Sequence, residues 1–375
     1  QKDKIDWQHY DTVADTLHNA GLNISQVMDF APYWSFENTP GPHPSDLTGV
    51  YNFLKAATAH FKGRIQAWEM WNEVDKGWPA LGDTYTAALK AAYIGAKDGD
   101  PNVIVLPSSF SAHTLLPFSG NMGECDAQNY FDVLNLHRYH EPKGHASTVK
   151  AYKSTLKSGN RPVWLTETNL LFWPTDGKDK TLLGKNEQLR GCRYIPRAAA
   201  TLLSSGIDRA FFFMLPHRPE GDVQFGMLRP DLTPYPSYIA LAVAVRMLGE
   251  ANDLGNVKIP GVTAYNFDTP NGHVITAWAD KPTTIKLSAK SHVEVIDMLG
   301  SSSSINPVDR KVSINITNDP VYIISKKTKI APLKDNYKLV KNADVCRIVM
   351  TQRSKLSFNK PRNWYIITDK PVQFP

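Results

Sequence analysis

Cysteine is scarce in this sequence: three residues in 375, Cys125, Cys192 and Cys346, with no CxxC pair and no Cys/His spacing suited to zinc. A disulfide scaffold and a metal site are therefore not expected, and no motif calls for a cofactor. Long apolar runs are missing too. None reaches the roughly 18 residues of a membrane span, so no membrane partner is expected. The opening Gln1-Lys2-Asp3-Lys4 lacks the apolar stretch of a signal peptide, and an exported protein would have lost its leader ahead of this numbering. Charge of one sign is not concentrated either. The formal net charge of +6 admits a polyanionic partner. Lys and Arg are nevertheless dispersed, and the densest cluster, Lys326-Lys327-Thr328-Lys329, reads as a solvated turn. No nucleic-acid partner is expected.

What is present is the composition of a globular protein, 42% hydrophobic and 21% charged, enough to bury a large core. The length suits an α/β barrel, which alone takes roughly 250 residues, plus a smaller companion. From about residue 8 to 250, short β-branched or aromatic runs alternate with longer amphipathic stretches, the pattern of repeated βα units and a parallel sheet. Six strands are expected: Ile24–Phe30, Ile65–Trp71, Val103–Pro107, Asp132–His137, Val163–Thr166 and Arg209–Leu215. Helical patterns fall at Asp11–Asn19, Leu47–Phe61, Thr84–Lys97, Ala146–Lys157, Asn186–Ser204 and Ser237–Leu248, most of them closing on Gly-containing turns.

Six strands are two short of a closed (β/α)8 barrel, and the shortage lies at the front, so the first βαβ unit is expected to be missing from this chain or supplied from elsewhere. From Val262 the text becomes short alternating strands with hairpin signals at Pro270-Asn271-Gly272 and Leu299-Gly300-Ser301, as in an antiparallel sandwich. The fold class is thus α/β: a barrel over 1–250, a β-sandwich over 251–326, and at 327–375 a sandwich edge or the start of a further β module. Strand-like runs at Val345–Thr351 and Trp364–Thr368 have no crossover helix between them, which argues against their filling the barrel gap.

Two constellations carry chemistry. Trp68-Glu69-Met70-Trp71-Asn72-Glu73 ends one apolar strand and Val163-Trp164-Leu165-Thr166-Glu167 another, which is where a barrel places catalytic groups, on the loops at the C-terminal face. Glu73 taken singly would serve as well to cap the next helix. The 94 residues between them (167 − 73) make three βα units of about 31 each. Three strands apart in an eight-stranded barrel, Glu73 and Glu167 face each other across the mouth. Glycosidic cleavage needs such a pair, one protonated and one ionised, about 5–5.5 Å apart when configuration is retained. The charge of Glu167 is expected to raise the pKa of Glu73. His137 and Tyr139 share strand parity one unit earlier, with the Tyr139 hydroxyl placed to orient the nucleophile. Trp34, Trp78 and Trp173 follow three different βα strands, and flat sugar faces pack on such rings.

These residues resemble those of the clan A retaining glycoside hydrolases, most closely the β-xylosidase and α-L-iduronidase branch. In that clan an Asn-Glu acid/base follows strand four, a His-x-Tyr element strand six and a Glu nucleophile strand seven. Here the pattern falls on Asn72-Glu73, His137-Arg138-Tyr139 and Glu167. The resemblance implies Glu73 as acid/base, Glu167 as nucleophile and Asn72 as a ligand of the sugar 2-hydroxyl. It implies cleavage of a β-type bond in an oligo- or polysaccharide by double displacement, and an extracellular or periplasmic location. Two departures stand out: the strand-two Arg that supports the nucleophile has no counterpart, and Phe213-Met214-Leu215-Pro216-His217 replaces a common strand-eight Trp, leaving His217 as a substrate contact.

Two rivals remain at this level. A catalytically inactive carbohydrate-binding barrel would keep the aromatics without the chemistry. A metal-dependent hydrolase would use His113, His137 and His140 with Asp132. The basic balance favours an acidic glycan, although neutral xylosides and galactosides fit the motifs equally. Oligomeric state is not legible.

Overall fold

The computed structural model describes residues 5–29, 44, 46–78, 82–111, 115–142, 144–174, 182–326, 330–332, 347–350 and 364–367. The chain divides into two compact units. One comprises residues 1–138, 147–168 and 351–375, the other 139–146 and 169–350.

The first unit is built from α1 (Gln8–Asn19), β1 (Asn23–Met28), α2 (Leu47–His60), β2 (Ala67–Met70), α3 (Val74–Gly77), α4 (Gly82–Gly99), β3 (Ile104–Leu106), α5 (Leu115–Glu124) and β4 (Leu134–His137). It continues with most of α6 (His145–Thr155) and with β5 (Val163–Thr168). β1, β2 and β3 pair in parallel, as do β4 and β5. β2, β4 and β5 are buried at every position, as parallel strands covered on both faces must be. Their inward positions are not all apolar: Glu69, Asn135, His137, Thr166 and Glu167 are buried among them.

The helices form where the sequence spaces apolar residues by three and four. α2 starts on Asp46, whose carboxylate accepts the Gly49 N–H at 2.9 Å. Its Val50, Leu54, Ala57 and Thr58 are buried. α4 packs closely on it because Gly95 and Gly99, one turn apart, carry no Cβ. A methyl at Gly95 would collide with the Tyr51 carbonyl oxygen, and one at Gly99 with Lys55 O and Thr58 Oγ1. Thr58 Oγ1 donates to Leu54 O and Ala96 O, at 2.8 and 2.9 Å.

In this unit the segment Trp364–Ile367 runs antiparallel beside β1, while in the second unit Arg347–Met350 runs parallel beside β6 (Arg209–Phe212). The sequence reading had set both runs apart from the barrel strands. The physical reason for the difference is the open edge: a strand without a neighbour presents unpaired N–H and C=O groups that any β-prone segment can satisfy.

The second unit also holds α7 (Lys185–Leu203), the short hairpin β7 (Pro219–Glu220) and β8 (Val223–Gln224), and α8 (Pro236–Leu248). It ends in antiparallel β-structure: β9 (Asn252–Asn256), β10 (Thr263–Thr269), β11 (Gly272–Trp278), β12 (Thr283–Ser288), β13 (Val293–Asp297), β14 (Ser302–Ile305), β15 (Lys311–Ile316), β16 (Val321–Ser325) and β17 (Ala331–Pro332). Six strands pair in the order β14-β13-β16-β11-β10-β9 and three as β15-β12-β17. They enclose an apolar core that includes Ile275, Ile285, Leu287, Ile314, Ile316 and Ile323. α7 is tied to the strand region by Arg193 to Asp319 at 2.6 Å and by Ser204 Oγ donating to Asp253 at 2.7 Å. Among the described residues, no helix is long and apolar enough to cross a membrane.

Candidate active site

The site is assembled in the first unit by β2, β4, β5 and the turn after β2. Beyond Met70 the chain leaves the strand sharply: Trp71 has φ of 83° and Glu73 φ of 43° and ψ of 55°, both in the left-handed region. Such backbone costs on the order of 1–3 kcal/mol per residue and persists only where its surroundings hold it. Here Trp71 N donates to Met28 O at 2.8 Å, Val74 N to Ser108 Oγ at 3.1 Å, and the Tyr85 hydroxyl to Met70 O at 2.7 Å. The kink aims the Glu73 side chain toward the ends of β4 and β5.

His137, at the end of β4 and 1% exposed, is the centre of the cluster. Its Nδ1 lies 3.2 Å from Glu73 Oε1 and 3.4 Å from Glu167 Oε2. Those two contacts together limit the separation of the two carboxylate oxygens to 6.6 Å. On the other side of the ring, Nε2 is 4.0 Å from Glu69 Oε1. His137 is held in place by its N–H donating to Phe110 O at 3.0 Å, and a register shift in the β4–β5 ladder sets it opposite Glu167. Glu73 Oε2 meets Lys76 Nζ at 2.8 Å, one turn on in α3.

The electrostatics follow from this packing. Burial depresses the affinity of His137 for its second proton, but the charge of Glu167, the hydrogen bond to Glu73 and the charges of Glu69 and Glu73 outweigh it and lift the imidazole to about 9. Burial pushes the Glu69 carboxyl up to about 7, against the opposing pull of His137 and Ser109. Burial also pushes Glu73 up, yet the hydrogen bond and charge of His137, joined by those of Lys76, hold it down at about 2. The expected raised pKa of Glu73 is therefore corrected: His137 and Lys76, at 3.2 and 2.8 Å, outweigh the effect of burial.

The other sequence-derived residues are placed as follows. Asn72 adjoins Glu73, and its Oδ1 is buried without a hydrogen-bond partner among the described residues. Trp78 is 8% exposed, its ring edge-on to Trp71 and Tyr85 and its indole N–H donating to Thr84 Oγ1 at 2.8 Å. It shapes the turn from within, where the sequence reading had an open sugar platform. Tyr139, in the second unit, packs edge-on against Phe213 and Phe225. Trp173 is half-exposed, and His217 Nδ1 meets Gln224 Nε2 at 2.5 Å. Trp34 and His113 lie outside the described residues. Asp132 accepts from Val105 N and Lys97 Nζ, both at 2.8 Å. No group of three or more His, Cys, Asp or Glu side chains among the described residues is arranged to hold a metal ion.

Glu69 was missed by sequence reasoning. It lies inside the buried strand β2 and not at its end, so the strand-end rule that singled out Glu73 and Glu167 does not reach it.

No family model matches the sequence, and no curated protein matches it. The fold does match solved structures. A family 39 glycoside hydrolase from Bacteroides cellulosilyticus WH2 is 20% identical, with a TM-score of 0.70 over 86% of this chain and 72% of that one. A glucosidase from Croceicoccus marinus is 13% identical at a TM-score of 0.60, over 86% and 82%. A family 39 β-xylosidase from Caulobacter crescentus is 16% identical at 0.55, over 86% and 84%. At these identities the likeness is one of fold, and it is a fold shared with glycoside hydrolases.

Proposed function

We propose that the protein is a retaining glycoside hydrolase with a (β/α)8-type catalytic domain, cleaving a β-type bond in an oligo- or polysaccharide. The observation that carries the reading is that Glu73 and Glu167 both lie against one nitrogen of His137, which keeps their facing oxygens within 6.6 Å. A retaining mechanism needs about 5–5.5 Å, and an inverting one about 6.5–9.5 Å to admit a water between the acids. The xylosidase and glucosidase named above share the fold, which supports a glycan substrate of that kind.

In the first step Glu73 gives its proton to the glycosidic oxygen as the C–O bond breaks, and a Glu167 oxygen bonds to the anomeric carbon. In the second, Glu73 takes a proton from water as its oxygen displaces Glu167. Charge does not favour a protonated Glu73 in the resting site, but the proton is near. His137 and Glu73 form a coupled pair, and one proton on Nδ1 or on Oε1 is the same proton count for the pair. His137 also supplies positive charge beside Glu167. Asn72 Oδ1, buried and without a partner, suits a sugar hydroxyl donor.

The test is a panel of aryl β-xylosides, β-glucosides and α-arabinofuranosides with the wild type and Glu167→Gln. Hydrolysis by the wild type that falls by roughly three orders of magnitude or more in the variant supports the reading. Glycan binding without turnover, unchanged in the variant, favours the inactive binding barrel instead.

A further inference from the structure

His137 and Glu69 face each other as two buried groups with unfinished hydrogen bonding. His137 Nε2 and Glu69 Oε2 have no partner among the described residues, and Glu69 Oε1 accepts only the Ser109 N–H, at 3.2 Å. Both residues are 1% exposed, and buried polar atoms are costly to leave unpaired.

The tautomer follows by elimination. Nδ1 lies between oxygens of Glu73 and Glu167, both acceptors when ionised, so it carries a hydrogen. Were Nε2 bare, its lone pair would face the lone pairs of Glu69 Oε1 across 4.0 Å inside a low-dielectric site. A proton on Nε2 replaces that repulsion with attraction between the ring N–H and the Glu69 carboxylate.

We propose that Glu69 is a positioning residue for the acid/base pair: it keeps a proton on His137 Nε2, so that His137 can lend its Nδ1 proton to Glu73. This rests on the glycosidase reading above. The transfer balances. The proton leaves Nδ1 for Glu73 Oε1, the imidazolium becomes a neutral ring still protonated at Nε2, and Nε2–H continues to face the Glu69 carboxylate. Without Glu69 the neutral ring would hold its single hydrogen at Nδ1 and could lend it only by becoming an anion. Among the described residues, the titratable groups around the pair are Glu73 with its partner Lys76, Glu167 on β5, and Tyr85 on α4 and Tyr152 on α6 beside Glu69. Burial keeps both phenols neutral, so among the described residues the carboxylates and Lys76 set the balance, and Glu69 is the acid that faces Nε2.

Nitrogen-15 histidine spectra of the full chain test this, with His137 assigned by loss of its signals in His137→Asn. Wild-type His137 is expected to carry protons on both nitrogens at neutral pH, and Glu69→Gln to lower its titration by one pH unit or more, tenfold in proton affinity. In kinetics, Glu69→Gln is expected to lose roughly tenfold, the equivalent of one pH unit, on alkyl glycosides that need a protonated leaving group. Loss on dinitrophenyl glycosides, which do not, is expected to be much smaller, and Glu69→Asp to recover part of the difference. A wild-type Nε2 bare at neutral pH overturns the proposal with no variant needed. So does a Glu69→Gln that titrates like the wild type or loses all leaving groups equally. A wild type that cleaves no glycoside overturns the glycosidase reading, while the spectra still decide the Glu69–His137 proton.

Discussion

Replacing Lys76 with Met probes the electrostatics of the acid directly. Lys76 Nζ is 2.8 Å from Glu73 Oε2, in a pair whose side chains are 57% and 18% exposed. It is one of the two cations that hold Glu73 down at about 2. Because the lysine is largely in solvent, the pair is worth only about 0.5–1 kcal/mol. At 1.36 kcal/mol per pH unit this is a shift of roughly 0.4–0.7 units. The sign is fixed: removing a cation makes the carboxylate less favourable, so Glu73 stays protonated to higher pH. The alkaline limb of kcat/KM against pH is expected to move up by about half a unit in Lys76→Met. At pH values on that limb the variant is then about three times faster than the wild type on an alkyl glycoside. The difference is expected to shrink as salt rises, since the pair is exposed. An alkaline limb that stays still or moves down would refute the assignment of Glu73 as the group whose protonation limits the reaction.

Other outcomes follow from the same structure. Glu73→Gln should slow alkyl glycosides far more than dinitrophenyl glycosides, because only the former need protonation, and a uniform loss would count against the acid role. Gly95→Ala should destabilise the first unit by roughly 1–3 kcal/mol, since its methyl meets the Tyr51 carbonyl in the α2–α4 contact; chemical denaturation measures this. Thermal stability should fall as pH rises from about 5 to 9. His137, raised to about 9 from 6.5, contributes stability fully present below 6.5 and lost as pH rises through 9. Glu69, raised to about 7 from 4.5, adds to the decline between those values. Glu73, lowered to about 2, contributes stability lost only as pH falls below 4.5 and through 2. In His137→Asn the decline between pH 6.5 and 9 should flatten, by on the order of 3 kcal/mol at most.

Much of this was legible in the sequence where one local rule decides. β15 and β16 are read off directly, the first because Lys311–Ile316 alternates exposed and buried residues throughout. The β10–β11 hairpin follows from Asn271-Gly272, with Gly272 at φ of 112°. α2 and α8 match their spacing to within a residue or two. Where the outcome depends on distant partners, the sequence was silent. α5 was not expected because Pro117, Gly120 and Gly123 argue against a helix; Gly123 is accommodated because it lies against the Thr155 carbonyl, which leaves no room for a Cβ. The strand edges that accept 347–350 and 364–367 lie more than a hundred residues away in sequence. At the site, the strand-end positions of Glu73 and Glu167 were visible. Glu69, a lone carboxylate inside an apolar strand, gave no such signal, and neither did the pull of His137 and Lys76 on Glu73. Trp78 looked like a platform because its contacts to Trp71 and Tyr85 arise only once the turn after β2 is folded.

The central claim is that Glu73 and Glu167, both held against Nδ1 of His137, act on one anomeric carbon. Incubation with activated 2-deoxy-2-fluoro glycosides of the cleaved sugar, followed by peptide mass spectrometry, tests it most directly. A single glycosyl adduct on the peptide carrying Glu167, with Glu73 unmodified, is the expected result; turnover accompanied by an adduct on Glu73 or Glu69, or on any residue outside this cluster, would contradict it.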